Sequence, residues 1–317
     1  MAAALALSER GRSLSAPNPN VGCILVNHGR VIGRGWTQAG GRPHAEAMAL
    51  EQAGADAAGA TGATAYVTLE PCAHNSARGP ACASALIHAG ISRCVIGLGD
   101  PDPRTNGAGI ARMLDGGMTV ESGLLAAEAR RAMSGWLSVL ERGRPHITLK
   151  LATSLDGCIA RADGESRWIT GDAARAHGHL ERARSSMILV GRGTVEADAP
   201  RLDVRLPGLE ARSPARAMLT SGPAPEGWTA LAAPQDVAKL EGVQTLLIEG
   251  GAQTAAGFLK AGLVDRLLLY RAPIMIGGGK ACLGDIGLEG LGDAHGLWQR
   301  TDTRTLGADT LEIYERA

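Results

Sequence analysis

The sequence predicts an α/β protein made of two consecutive domains, on three observations. The chain has 317 residues, about twice the ~150 usual for one domain. Strand-like apolar runs alternate with helix-period segments through its first half, the order of an α/β sandwich. The segment ERGRP (141–145) is charged, ends in Gly and Pro, and interrupts that alternation, which restarts behind it. The boundary is therefore placed so that the domains span 1–144 and 145–317.

The N-terminal MAAALALSERGRSL has an apolar start with no basic segment before it, and reads as an amphipathic first helix rather than a secretory leader. GCILV (22–26) and VIGRGW (31–36) flank His28-Gly29 as a hairpin. HAEAMALEQA (44–53) is a helix, TAYVTL (64–69) a strand, and PACASALIHA (80–89) a helix with Pro80 near its first turn. RCVIGL (93–98) is a strand, followed by a helix near 109–115 and a strand near 118–121. Residues 123–140 read as one long helix, with Leu124, Leu125, Met133, Trp136 and Leu140 as core positions. Behind the boundary come a strand at 146–152, a helix near 172–185 and a buried strand at 187–190. The stretch 191–214, rich in Gly, Pro, Arg and Asp, reads as exposed or functional loop. Strands recur at 216–219, 244–249 and 264–270, the last two joined by a helix that Gly250-Gly251 opens.

Composition removes several function classes. No run of ~18 apolar residues is available for a membrane span. Lys+Arg and Asp+Glu are 32 each, and only five Trp, three Tyr and one Phe occur, so the basic track and stacking rings of a nucleic-acid binder are missing. The six cysteines are sparse, which points to a reduced, cytoplasmic protein whose Cys serve a metal or catalysis rather than disulfides. Cys23, Cys94 and Cys158 lie in apolar strand patterns or beside turns and read, with Cys282, as bystanders.

The sharpest local signal is His44-Ala45-Glu46, then Pro71-Cys72, then Cys82. Imidazole and two thiolates are zinc ligands, and a three-ligand site keeps a fourth position for water. Glu46, two residues from His44 and not needed as a ligand, suits a proton shuttle between that water and a leaving amine. His-x-Glu with Pro-Cys is the signature of zinc nucleobase deaminases, but nine residues separate Cys72 from Cys82 where two are usual. Either half of the pattern alone is ordinary; the two together, each at the edge of a predicted element, are not. His74 lies between the cysteines and is read as a substrate contact, since a fourth protein ligand would leave no place for water. In the second half, Gly250-Gly251 follows a buried strand and opens a helix, aiming free N–H groups at an anion such as a dinucleotide phosphate.

PNPNVGCILV (17–26), HAEAMAL (44–50), GATAYVTLEPCAH (62–74) and DPDPRTNGAG (100–109) resemble the deaminase of riboflavin biosynthesis, and Arg78-Gly79-Pro80-Ala81-Cys82 matches the end of its inter-cysteine stretch. The second half resembles the reductase often fused to it, through KLATSLDG (150–157), ESRWIT (165–170), GRGTV (191–195), DAPRLDVR (198–205), IEGG (248–251) and Pro273 with Gly277-Gly278-Gly279. The resemblance covers nearly the whole chain. It implies a cytidine-deaminase-like three-layer α/β/α domain followed by a dihydrofolate-reductase-like α/β domain, with Zn2+ and NADPH as cofactors. Asn18 would bind the pyrimidine edge, with His74, Arg78 and Asp100 lining the same site. Arg78 is also a suitable partner for a substrate phosphate. Ala152, Trp168, Thr194, Asp198, Ser221 and the turn Gly251, Ala252, Gln253, Thr254, Ala255, Ala256 and Gly257 would contact NADPH. Ser166, Arg182, Leu202, Arg205 and Glu249 would contact the reductase substrate, with Arg182 and Arg205 suited to its phosphate.

The sequence departs from the family pattern at Thr37, where His is usual, at Asp102, where Asn is usual, and at Ser186 and Ala199, which replace acids. It is also short between Thr220 and Gln244. The implied activity is deamination of a small phosphorylated pyrimidine followed by NADPH-dependent reduction of its ribosyl side chain, in a chain that assembles as a homo-oligomer. Two readings compete with it: a deaminase whose second domain no longer catalyses, and a nucleic-acid-editing deaminase.

Overall fold

The structure is a computed structural model and describes residues 1–54, 59–74 and 79–317. The chain divides into two compact units, Met1–Arg142 and Gly143–Ala317.

The first unit runs α1 (Ala2–Ser8), β1 (Gly22–Asn27), β2 (Arg30–Trp36), α2 (Ala45–Ala53), β3 (Thr64–Leu69), α3 (Cys82–His88), β4 (Arg93–Leu98), α4 (Ala108–Asp115), β5 (Thr119–Ser122), α5 (Ala126–Ala132) and α6 (Ser134–Arg142). Its sheet has the order β2-β1-β3-β4-β5. The β1–β2 hairpin and β1–β3 pair antiparallel, and β3, β4 and β5 run parallel through helical crossovers. Helices α1 and α5 pack on one side of the sheet, and α2 packs on β1 and β2 with α3 and α4 beside it, giving three layers. Leu25, Val67, Leu86, Ile96, Met113, Met133 and Leu137 are among the core residues. The alternate glycines of β2 set the position of α2: a Cβ on Gly33 or Gly35 would lie 2.1 or 2.0 Å from the carbonyl oxygen of Ala49 or Ala45. The helix therefore rests directly on the strand backbone, and its first turn, with His44 as N-cap and Glu46, is fixed against the sheet.

The expected long helix at 123–140 is two helices parted at Met133, which is fully buried. The break re-aims the second helix, so Leu137 is in the core while Leu140 is 42% exposed; Leu124, ahead of the first helix, is 47% exposed.

The second unit runs β6 (His146–Thr153), β7 (Cys158–Ala160), α7 (Asp172–Ala183), β8 (Met187–Gly191), α8 (Arg192–Asp198), β9 (Ala215–Leu219), β10 (Thr229–Leu231), β11 (Thr245–Ile248), α9 (Ala252–Lys260), β12 (Arg266–Arg271), β13 (Lys280–Ala281), β14 (Trp298–Leu306) and β15 (Asp309–Arg316). Eight strands form one sheet in the order β10-β9-β8-β11-β6-β12-β15-β14. It is parallel from β10 to β12, and β15 and β14 close it antiparallel. Strands β7 and β13 form a separate small ribbon. Ile147, Leu149, Leu189, Leu246 and Phe258 form the main core, as near-continuous apolar strands buried on both faces require.

The 191–214 stretch is not all loop: Gly191 ends β8 and Arg192–Asp198 form α8. The β14–β15 hairpin carries no apolar periodicity because its outer strand is largely polar (WQRTDTRTL) and two-thirds of its residues are exposed. Among the described residues, no helix is long and apolar enough to cross a membrane.

Candidate functional site

In the first unit, the N-cap of α2, the loop after β3 and the start of α3 converge. His44 Nδ1 lies 3.3 Å from Cys82 Sγ and 3.7 Å from Cys72 Sγ, and the Cys82 backbone N–H donates to Cys72 Sγ at 3.3 Å. The three ligand atoms lie within 4.8 Å of one another. One imidazole nitrogen and two sulfurs at this spacing match the donor set and size of a tetrahedral zinc site with one position left open. Hydrogen bonds from Cys82 and His44 favour the Cys72 thiolate against its burial, so the Cys72 thiol is shifted down. Bonding to Cys72 and burial push the Cys82 thiol up. Glu46 is buried, and burial pushes its carboxyl up despite the opposing pull of His44. A carboxyl raised in this way is suited to carrying a proton in both directions.

These groups open onto a cavity of about 560 Å3, also lined by Asn18, Thr37, Arg42, His74, Asp100, Asp102, Arg104 and Trp136. Asn18 Nδ2 donates to the Gly41 carbonyl at 2.9 Å and lies 3.0 Å from His44 Nε2. His74 Nδ1 is buried and has no hydrogen-bond partner among the described residues, a donor or acceptor open to a ligand. Burial raises the Asp100 carboxyl to about 6. The Asp102 side chain is held by Arg104, which pulls it down to about 2. Thr37 is buried, and its hydroxyl accepts the Val21 N–H at 3.0 Å.

In the second unit, two cavities of about 690 Å3 each meet beyond the carboxyl ends of the parallel strands, where open α/β sheets bind ligands. Lys150, Ser166, Thr194, Asp198 and Glu249 line both. Glu249 accepts from Arg182 Nε at 2.7 Å and Nη2 at 2.9 Å, and Lys150 Nζ stands 3.7 Å away. Burial alone would raise its carboxyl; Lys150 and Arg182 outweigh burial and hold it at about 2. The Lys150 ammonium also sits 5.8 Å from the ring centre of Tyr270, a fully buried residue on β12. The second of these cavities is bordered by Gly250, Gly251 and the first residues of α9, with Gly251 as N-cap, so uncapped helix N–H groups face it. An open cleft ending on backbone donors fits a dinucleotide phosphate.

A model of the cytidine and deoxycytidylate deaminase zinc-binding region matches residues 1–98, and one of the RibD C-terminal domain matches 145–228 and 230–311. The chain is 39% identical to the riboflavin biosynthesis protein RibD of Escherichia coli, over 93% of this chain and 92% of that protein. It is 33% identical to RibD of Aquifex aeolicus over 100% and 97%. The chain belongs to the RibD family. Among solved structures, Acinetobacter baumannii RibD superposes with a TM-score of 0.85 at 34% identity, covering 100% of this chain and 97% of that one. The Thermotoga maritima diaminohydroxyphosphoribosylaminopyrimidine deaminase/5-amino-6-(5-phosphoribosylamino)uracil reductase gives 0.87 at 29% identity, with the same coverage. This RibD-family chain is thus a bifunctional enzyme of riboflavin biosynthesis, a zinc-dependent deaminase unit followed by a reductase unit, and the expected fold class is borne out.

Within this RibD frame the structure brings most of the expected site residues together. His44, Glu46, Cys72, His74, Asn18 and Asp100 share the first cavity; Cys82 does not line it, but its sulfur lies within 4.8 Å of the ligand atoms of His44 and Cys72. Arg78 lies outside the described residues. All five expected reductase-substrate residues, Ser166, Arg182, Leu202, Arg205 and Glu249, line one cavity of the second unit. Arg182 differs from expectation in detail: its guanidinium is engaged by Glu249 and by the Asp203 carbonyl at 3.0 Å, which leaves Arg205 as the freer cation. Ala152, Thr194, Asp198, Gly251, Ala252, Gln253 and Thr254 line the other cavity. Trp168 lies on the substrate side, 65% exposed. Ser221, Ala255, Ala256 and Gly257 line neither; Ala255 and Ala256 face the core because they sit on the inner side of α9. Of the departures from the family pattern, Ser186 pairs with Thr245 at the start of β8, and Ala199 caps α8 in a left-handed conformation beside the substrate cavity.

Two residues went unassigned in the sequence. Lys150 was legible only as part of a motif. Glu70 is buried, and its carboxylate accepts four backbone N–H groups: Gly109 at 2.9 Å and Ile110 at 3.1 Å on one oxygen, Gly107 at 3.1 Å and Asp100 at 3.2 Å on the other. It ties the loop carrying Cys72 to the loop carrying Asp100.

Proposed function

We propose that residues 1–144 hydrolytically deaminate 2,5-diamino-6-ribosylamino-4(3H)-pyrimidinone 5′-phosphate and that residues 145–317 then reduce its ribosyl side chain to ribityl with NADPH. The observation that carries the first step is the cluster of His44, Cys72 and Cys82 ligand atoms at a cavity that a buried Glu46 also lines. His44 Nδ1 and the two sulfurs would hold Zn2+, which when bound supplies an acidified water to the amino-bearing ring carbon. Glu46 takes the proton of that water and delivers it to the departing amine nitrogen. Asn18, His74 and Asp100 hold the pyrimidine edge, and Asp100 does so as an acceptor once ionised.

For the second step, the support is the meeting of two cavities at Lys150 and Glu249. NADPH would occupy the cavity bordered by α9 and supply the hydride. Ser166, Arg205 and Leu202 position the pyrimidine and its phosphorylated chain in the other. The Arg182–Glu249 pair fixes Glu249, and with it Lys150, at the junction where the sugar C1′ meets the cofactor. The partners are small molecules; a cytoplasmic location, a homo-oligomer and no nucleic-acid partner complete the reading.

The purified chain, given the diaminopyrimidine and NADPH, is expected to release ammonia and oxidise NADPH in sequence. A Glu46→Ala protein that keeps its zinc and still deaminates would refute the mechanism. Absence of NADPH oxidation when the deaminated pyrimidine is supplied would instead favour a non-catalytic second domain.

A further inference from the structure

We infer that Arg42 is a phosphate-binding residue of the deaminase cavity, an assignment that rests on the deaminase reading above. Among the described residues, that cavity has four acids on its wall, Glu46, Glu70, Asp100 and Asp102, and two arginines, Arg42 and Arg104; Arg42 would act beside Arg78, the arginine the family resemblance assigns to the same phosphate. A substrate carrying a phosphate dianion needs an uncommitted cation there, since like charges facing each other in a partly dry cleft repel strongly.

Arg104 is committed: its Nε lies 3.0 and 3.1 Å from the two Asp102 oxygens and its Nη2 completes the pair. Arg42 is half-buried on the same wall, and no hydrogen bond or ion pair engages its guanidinium among the described residues. A half-buried guanidinium without a counter-charge is a costly arrangement that an anionic ligand relieves. Its planar fork matches phosphate geometry.

The backbone holds this side chain in register with the chemistry. Gly41 has φ +88°, and a Cβ there would lie 2.7 Å from Asn18 Cγ. The Gly41 carbonyl accepts from Asn18, the residue assigned to the pyrimidine edge, and His44 follows two residues after Arg42. The guanidinium lies close to Gly79, where an added Cβ would be 3.1 Å from Arg42 Nη1. The short segment 41–44 therefore carries the carbonyl that holds the ring contact Asn18, a free cation and a metal ligand around one cavity.

The test compares wild type, Arg42→Ala and Arg42→Lys of the full chain, using the phosphorylated diaminopyrimidine and its dephosphorylated nucleoside. Arg42→Ala is expected to raise KM for the phosphorylated substrate about 10- to 100-fold, the loss of a hydrogen-bonded charge pair, with kcat little changed. Arg42→Lys recovers part of that loss, and the nucleoside shows no difference among the three proteins. Equal losses on both substrates, or no change on either, overturn the assignment. If wild type releases no ammonia, the deaminase reading fails by itself and a binding measurement decides Arg42. Ribose 5-phosphate is titrated calorimetrically into Arg205→Ala and into the Arg42→Ala/Arg205→Ala double variant. Binding lost only in the double variant supports the assignment; binding equal in the two, or absent from both, overturns it.

Discussion

Glu70→Gln isolates the buried carboxylate that joins the two loops of the deaminase site. Each oxygen of Glu70 accepts two backbone N–H groups at 2.9 to 3.2 Å. Glutamine keeps the shape but replaces one acceptor oxygen by a donor amide, so in either orientation two N–H groups lose their acceptor and face another donor. An unsatisfied buried donor costs about 1–3 kcal/mol, which gives roughly 2–6 kcal/mol for the pair. For a unit of 142 residues, at about 3 °C per kcal/mol, the expected loss in Tm is ~6–18 °C. Differential scanning calorimetry of the full chain reads this as a downward shift of one transition, with the other in place. The Asp100 backbone is released at the same time, so KM for deamination rises, while NADPH oxidation of the pre-deaminated pyrimidine is unchanged. A shift below about 2 °C with an unaltered deaminase KM would refute the role given to Glu70.

The remaining expectations concern the metal, the acid groups and the second unit. Glu46→Gln keeps bound zinc, measured by atomic absorption, and lowers deaminase kcat about 10^2- to 10^4-fold. Removing zinc with 1,10-phenanthroline abolishes ammonia release, leaves NADPH oxidation of the deaminated product intact, and is reversed by added zinc. Asp100 is raised to about 6 from an ordinary 3.8, so the folded protein binds this proton more tightly than the unfolded chain. Its contribution to stability therefore falls as pH rises from about 4 to 6, and Asp100→Asn should melt higher than wild type above pH 6, with the gap closing toward pH 4. Glu249, held at about 2, does the opposite: its contribution is complete above 4.5 and is lost as pH falls toward 2. Glu249→Gln should flatten that acid limb, cost about 3–5 kcal/mol by stranding Arg182 and Lys150, and abolish NADPH oxidation.

The zinc ligands and Glu46 were legible because chemistry fixes their residue types and the β3–loop–α3 order fixes their spacing. The GRG alternation in β2 carried a signal that periodicity rules do not score: its glycines admit α2 to the strand backbone and so place His44. The break at Met133 was illegible, since no Pro marks it and both helices are apolar enough to read as one. Arg182 was legible as an arginine of a substrate motif, but its pairing with Glu249, 67 residues away, belongs to the parallel sheet and not to local sequence. The β14–β15 hairpin was missed because a strand that borders solvent is read from pairing, and its pairing partner β12 lies in a different part of the chain. Glu70 reads as one more acid in a motif; only the fold brings four backbone donors to it.

Strand β15 ends at Arg316 yet lies inside the second sheet, hydrogen-bonded to β12 on one side and β14 on the other. Its Asp309 accepts the N–H of Gly171, the N-cap of α7, at 2.7 Å, and its Glu312 holds Arg271 of β12. During synthesis the first unit can collapse as soon as it leaves the ribosome, whereas the second waits with the flank of β12 unpaired until residues 309–316 emerge. That interval exposes an apolar strand edge, the kind of surface on which nascent chains associate wrongly. Pairing on that flank of β12 thus waits for a strand synthesised well after it, whatever the stability of the finished sheet.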